Sequence, residues 1–275
     1  MLVTFNDLSL FDGWDRFPKF IEGIIRSQRA THVCEVGAGA NPALSEKFVG
    51  AQGLDYTLLD SDAGEIRKTA LRAKKIIKDI CRPTAVPREA FDIVFSRMMF
   101  EHCRDSAMAH ATIWRMLRPG GLAVHSFATL YSLPMVVNRF SPGWLTDFLL
   151  DHLHPRDRHR HEKFSAWYDM CRGPIHSQIA ALEKLGYEIC EYHGYFGHYY
   201  YRDKLKLLDI MNVLATRCLV RFPVAHLTTY ATVILRRRPE RDVGEALELT
   251  GRLGALETAS STGVPALQST LRNAR

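Results

Sequence analysis

No two cysteines in this chain are spaced as CxxC; the six, at positions 34, 81, 103, 171, 190 and 218, are scattered. That spacing speaks against a zinc site and against a disulfide framework, and points to reduced thiols in a cytoplasmic protein. No apolar run reaches the roughly 18 residues that a membrane span requires. The first residues, MLVTFNDLSLFDGWDR, carry early acids where a secretion signal would have a basic region. Internal repeats and low-complexity tracts are also missing. Hydrophobic residues at 47% and charged residues at 24% of 275 are ordinary for a globular chain, which excludes disordered, collagen-like and coiled-coil classes. The excess of one sign of charge is small too: 36 Lys and Arg against 30 Asp and Glu leave +6, which favours anionic partners but is too mild to indicate nucleic-acid binding.

What is there is a regular alternation. Phe17, Phe20, Ile21, Ile24 and Ile25 recur at helical spacing. Strands are expected at about 32–36, 56–60, 75–78, 91–96 and 121–127. Helices are expected between them at about 42–50, with Asn41 as cap and Pro42 in the first turn, at 62–73 and at 106–117. Beyond a break at 128–173, Ile175, Ile179, Leu182 and Leu185 mark a helix and 187–193 a strand. Residues 203–219 read as a helix and 227–235 as a last strand. The pattern predicts a doubly wound, mostly parallel α/β sheet of seven strands, with an α-helical insertion after the fifth. The expected domain runs over 1–238, and the polar residues 239–275 form a mobile tail.

The sharpest local signal is Val33-Cys34-Glu35-Val36-Gly37-Ala38-Gly39-Ala40-Asn41-Pro42. A strand ending in an acid, then Gly-x-Gly, then a helix start lets backbone approach a ligand closely. Asp60 closes the second strand, 23 residues after Gly37, where a carboxylate can accept both hydroxyls of a ribose. Asp79 closes the third. The segments Ala90-Phe91-Asp92-Ile93-Val94-Phe95-Ser96 and Met116-Leu117-Arg118-Pro119-Gly120-Gly121 follow. NAD fits poorly, because Pro42 stands where the dinucleotide fingerprint has its third glycine.

In order and spacing over residues 30–127, this set resembles the class I S-adenosylmethionine-dependent methyltransferases, in particular the small-molecule group that includes ubiquinone- and menaquinone-biosynthesis enzymes. The resemblance implies a Rossmann-like sheet of seven strands whose last strand runs antiparallel beside the sixth. It implies S-adenosylmethionine as cofactor. It also implies roles: Glu35 toward the methionine ammonium through water; Gly37, Ala38 and Gly39 as close-approach backbone; Asp60 on the ribose with Ser61 beside the adenine. Asp79 would take the adenine amino group, with the Ile80 amide at the ring, and Ser96 and Arg97 would line the methionine side. Asn41 occupies a place where the family often has a third glycine.

The acceptor is read largely by elimination. After the fourth strand stands Ser96-Arg97-Met98-Met99 and no Asp/Asn-Pro-Pro-aromatic or Pro-Cys, and neither the paired glutamates of protein-arginine enzymes nor an acid set for a catechol-binding metal is evident. A small-molecule acceptor remains, with no metal expected. Phe100-Glu101-His102 resembles a Leu-Glu-His of small-molecule relatives, so His102 is the first candidate base, its alternative being a structural histidine. His154, His159 and His161 lie in a run of four imidazoles between 152 and 163 that reads three ways: a metal site, a solvated basic loop, or a lid over an anionic or hydroxyl-rich acceptor. His154 and His161 are carried as further catalytic candidates. Phe11 and Trp14 are expected to help cover the acceptor. The aromatic run 193–201 reads as core packing or as a stacking platform, and the helix at 203–219 as a surface for the sheet, a dimer partner or a membrane. The favoured activity is O-methylation of a hydroxyl in a glycan precursor or secondary metabolite. Still open are N- or C-methylation, a non-catalytic cofactor-binding subunit, and an RNA enzyme suggested by Arg236-Arg237-Arg238.

Overall fold

The alternation is realised as one eight-stranded sheet in the order β1-β7-β8-β6-β5-β2-β3-β4. The strands are β1 Leu2–Asp7, β2 His32–Val36, β3 Asp55–Asp60, β4 Lys74–Ile77, β5 Phe91–Arg97, β6 Leu117–Ala128, β7 Tyr187–Phe196 and β8 Tyr230–Arg237. The structure is a computed structural model and describes residues 1–11, 13, 15–130, 165–199 and 205–239. Met1–Arg237 make one compact unit. Of the expected tail, only residue 239 is among the described residues.

Strand β8 runs antiparallel between β6 and β7, and all other pairings are parallel. The eighth strand is the one not anticipated. β1 lies parallel to the edge of β7, Leu2 opposite Glu191 and Asp7 opposite Phe196. Its side chains are mostly half-buried, so the alternation that marks a strand is blurred.

The two-residue period of the strands splits the core between the faces of the sheet. Val33, Ile93 and Phe95 meet Phe17, Ile21 and Ile25 of helix α1 (Phe17–Gln28) on one face. Cys34 and Val94 meet Ala109, Ile113 and Met116 of helix α4 (Ser106–Met116) on the other.

Two helices are shorter than their sequence suggests. Helix α2 spans Glu46–Gln52, not 42–50: Ser45 caps it, its side chain accepting from the Phe48 amide. Asn41 and Pro42 belong to the preceding loop, because the Ala43 amide that a helix start would leave for a cap donates to Glu35. Helix α3 (Ala63–Lys68), capped by Asp62, stops well before 73, where Thr69 turns extended and its hydroxyl accepts from the Leu71 amide. Helices α5 (His176–Lys184) and α6 (Lys206–Arg221) follow near their expected places. The last strand starts at Tyr230, because Ala225–Leu227 form a short 3-10 turn.

The motif around Asp92 has a structural explanation. Its carboxylate accepts from the amides of Thr31 and His32 at 2.9 Å and pairs with Arg118 at 2.5 Å, tying together the starts of β2, β5 and β6. The basic run at 236–238 is also partly structural. Arg237 is buried, its guanidinium 3.9 Å from the Trp114 ring centroid and bonded to Glu89, which leaves Arg236 exposed and Arg238 half-buried.

Candidate cofactor and acceptor site

In a parallel α/β sheet, ligands gather at the carboxyl ends of the strands. Here β5, β2 and β3 are neighbours, and their ends carry Ser96 and Arg97, Glu35, and Asp60 side by side.

The loop after β2 is held from three sides. The Gly37 amide donates to the Leu59 carbonyl at 2.8 Å, and the Gly39 amide to Asp60 Oδ2 at 2.8 Å. Glu35, fully buried, accepts from the Ala43 amide at 2.9 Å and from the Tyr56 hydroxyl. Burial pushes the Glu35 carboxyl up to about 7, against the lowering by the Tyr56 hydroxyl, the Ala43 amide and the Arg97 charge. Burial is also the main reason the Tyr56 phenol is pushed up, so Tyr56 stays a donor.

Both glycines need their freedom, for different reasons. Gly37 sits at φ +73°, and a Cβ there would come within 2.5 Å of Met99 Cγ. Gly39 sits at φ +52°, and nothing stands within 4 Å of where its Cβ would be. That clear space beside an exposed-backbone turn is a cradle a ligand can enter, and the residues present fit S-adenosylmethionine. Asp60 uses one oxygen on Gly39 and the other on the Asp62 amide at 2.9 Å, yet an ionised carboxylate keeps further acceptor positions for ribose hydroxyls. Ala38 is buried within the turn and Ser61 is exposed just past Asp60.

Asp79 and Ile80 follow β4. Asp79 accepts from the Cys81 amide at 2.9 Å and pairs with Arg82 at 3.2 Å, while the Ile80 side chain is buried. Arg97 reaches back over the loop, donating to the Asn41 carbonyl at 3.2 Å. The Ser96 side chain turns the other way, into the core, hydrogen-bonded to His125 Nδ1 at 2.8 Å, so its backbone is what it presents at the strand end.

His102 ends a 3-10 turn, Phe100–His102, directly after β5. Its Nδ1 lies 3.1 Å from the Ser165 carbonyl. A carbonyl only accepts, so the proton sits on Nδ1 and the lone pair of the neutral ring on Nε2. Desolvation holds the imidazole below the usual histidine range, outweighing the carbonyl that favours its charged form. The same turn anchors the far end of the insertion. The Glu101 carbonyl accepts from the Trp167 amide at 2.7 Å and the Tyr168 amide at 3.1 Å, and Arg104 lies 4.8 Å from the Trp167 ring centroid. The near end is tied by the Leu130 amide to the Cys171 carbonyl at 3.1 Å. Ser165 thus lies beside His102; His154, His159 and His161 fall in 131–164, outside the described residues. Trp14 is outside them too.

Sequence reasoning passed over Glu101. Its side chain is 4% exposed, Oε2 has no hydrogen-bond partner among the described residues, and burial pushes its carboxyl up to about 8. The residue stood in the Phe-Glu-His motif, but its burial is a property of the packed turn. Phe11 is corrected the other way: it is 4% exposed and packs on Tyr195 and Tyr230, with ring centroids 5.0 and 4.9 Å away, as part of the core. In the aromatic run, Tyr195 and Phe196 likewise belong to the core, Phe196 stacking on Phe5 at 5.8 Å, whereas Tyr199 is exposed. No group of three or more His, Cys, Asp or Glu side chains among the described residues could hold a metal ion.

Residues 34–125 match the family model described as a methyltransferase domain. The chain is 28% identical over 183 residues to a ubiquinone biosynthesis O-methyltransferase from Rhodopseudomonas palustris, a match covering 63% of this chain and 66%, just short of two thirds, of that relative. Among solved structures it is similar to a sarcosine dimethylglycine methyltransferase from Galdieria sulphuraria, with a TM-score of 0.50 and 12% identity over 81% of this chain and 86% of that one. It also resembles a phosphoethanolamine N-methyltransferase of Haemonchus contortus in complex with S-adenosyl-L-methionine, with a TM-score of 0.45 and 14% identity over 76% and 49%. Residues 34–125 thus match a methyltransferase domain, and the mostly parallel sheet with its glycine loop between β2 and the end of β3 agrees with that match.

Proposed function

We propose that the chain methylates a hydroxyl of a small molecule, a glycan precursor or secondary metabolite. The observation that carries this reading is His102: a neutral imidazole fixed by Ser165 with its lone pair on Nε2, at the end of β5 and at the foot of the insertion. A hydroxyl must shed its proton as the new bond forms, and a positioned base near neutrality typically contributes about 10²–10⁴-fold. The O-methyltransferase relative supports a hydroxyl acceptor.

When bound, S-adenosylmethionine supplies an activated methyl group. The chain's own residues do the rest. Asp60 and the Gly37–Gly39 backbone hold the nucleoside end, Asp79 and Ile80 border the adenine, and Arg97 and the Ser96 backbone border the methionine end. Glu35 acts from beneath by fixing the loop through Ala43, with the methionine ammonium as its more distant partner. Glu101, mostly protonated at neutral pH, is the second titratable group at the acceptor end. His154 and His161 act from the insertion as contacts to the acceptor.

The test is methyl transfer to a panel of phenols, sugars and amines with labelled cofactor, for the native chain and His102→Ala. We expect label on oxygen, a fall in kcat of about 10²-fold or more for the variant, and cofactor affinity within a few fold. Label on nitrogen, or full turnover by His102→Ala, would reverse the assignment.

A further inference from the structure

Helix α6 is built inside out. The side it turns toward the protein is mostly polar: Asp209 is half-buried near His198, Asn212 donates to the His198 carbonyl at 2.9 Å, and Thr216 is buried against Gly197, with half-buried Leu219 the apolar member. The opposite stripe is apolar and in solvent, with Leu207 72%, Leu214 59%, Met211 57% and Ile210 56% exposed. A globular surface helix does the reverse, so this face is made for something other than water.

The charge beside it says what. The helix carries three cations, Lys206, Arg217 and Arg221, all exposed, and a single acid, Asp209, which faces inward. At 100° per residue Lys206 and Arg217 fall along one flank of the apolar stripe, and Arg221, at the helix end, falls within the stripe beside that flank. A second copy seated face to face would press this cationic flank against its own image, which costs free energy. An anionic leaflet satisfies both features at once: acyl chains for the stripe and headgroups for the flank. Arg221 over the Phe222 ring, 5.3 Å from its centroid, continues the pattern past the helix end.

We propose that α6 is a docking surface for an anionic lipid membrane, lying in the interface with its stripe toward the acyl chains. No helix among the described residues is long and apolar enough to cross a membrane, so the attachment is peripheral. The placement has a consequence for the reaction. α6 leaves from the end of β7 and returns at the start of β8, and Tyr195 pairs with Tyr230 there. This is the same sheet edge at which β5 ends, three strands or about 14 Å away. Docking would hold the acceptor end of the molecule near the lipid, within reach of a membrane-held acceptor.

The experiment is co-sedimentation of the full chain with vesicles of phosphatidylcholine, alone or mixed with phosphatidylglycerol, at low and high salt. We expect partitioning onto the mixed vesicles that weakens with salt. Leu207→Gln with Leu214→Gln should lower it at least tenfold, and Arg217→Gln with Arg221→Gln should abolish the preference for phosphatidylglycerol. Both variants should keep the native melting transition and cofactor affinity within a few fold, which separates this test from that of methyl transfer. Failure to partition would overturn the proposal. If the chain is then a dimer that the leucine variant breaks, a second copy covers the stripe; if it is a monomer, the stripe is covered by its own chain. Binding that the helix variants leave unchanged would place the lipid contact elsewhere and also overturn it.

Discussion

Replacing each loop glycine by alanine separates packing from ligand space. At Gly37 the new Cβ meets Met99 Cγ at 2.5 Å and Met99 Cβ at 2.9 Å, and the backbone is at φ +73°. Left-handed backbone costs an L-residue about 1–2 kcal/mol, and overpacking a well-filled site typically costs another 1–3 kcal/mol. The Met99 Cβ cannot swing aside as a chain end could, so Gly37→Ala should lose about 2–5 kcal/mol in total. At Gly39 only the backbone cost applies, about 1–2 kcal/mol at φ +52°. Its Cβ projects into the clear space, so the damage should fall on the cofactor, at least tenfold in affinity or about 1.4 kcal/mol. Urea unfolding reads the first quantity and cofactor titration the second. If Gly39→Ala binds the cofactor as tightly as the native chain while Gly37→Ala is fully stable, the clear space is not the ligand's.

Three further outcomes follow from the site and core. Glu101→Gln should leave the fold intact, since a buried, mostly protonated acid is replaced by a neutral isostere, and should remove an ionisation near 8 from the pH–rate profile; an unchanged profile argues that Glu101 stays out of the reaction. Burial holds His110 down at about 3 and His125 well below its usual range, so both are neutral when folded, while the unfolded chain protonates them near 6.5. Their contribution is therefore complete above about pH 6.5 and is lost as pH falls toward 3, partly offset by Glu35 and Glu101, whose raised values favour the fold as pH drops. His110→Phe should move the acid-unfolding midpoint, followed by circular dichroism, to lower pH; an unmoved midpoint counts against this account. Dialysis against a chelator should leave turnover unchanged, and restoration of lost activity by Mg²⁺ or Zn²⁺ would point to the histidines between 152 and 163.

The legible parts of this molecule were those encoded locally. The strands at 32–36 and 91–97, the Gly37–Gly39 turn and Asp60 announce themselves by alternation, by glycine and by an acid at a strand end, and the structure sets them side by side. β1 was not legible because its partner, β7, lies about 190 residues further along and its own pattern is half-buried throughout. The start of α2 was read at Asn41 and Pro42, and the contact from Ala43 to Glu35 that keeps them in the loop and leaves the cap to Ser45 is tertiary. Ser96 and Phe11 sit where expected along the chain yet turn inward, toward His125 and Tyr230. Glu101 was invisible for the same reason: one acid in a motif looks like any other until its turn is packed. The outward stripe of α6 was visible as amphipathicity, but which side faces the sheet is set by Asn212 and Thr216 meeting His198 and Gly197.

The most direct measurement is isothermal titration of S-adenosylmethionine into the folded chain and into Asp60→Ala. Asp60 is the carboxylate that joins the end of β3 to the glycine turn through Gly39, and it is the residue assigned to the ribose. The account predicts micromolar binding by the native chain and at least a tenfold weaker affinity for the variant, about 1.4 kcal/mol or more. No heat of binding from the native, folded chain, or equal affinity in the variant, would contradict it.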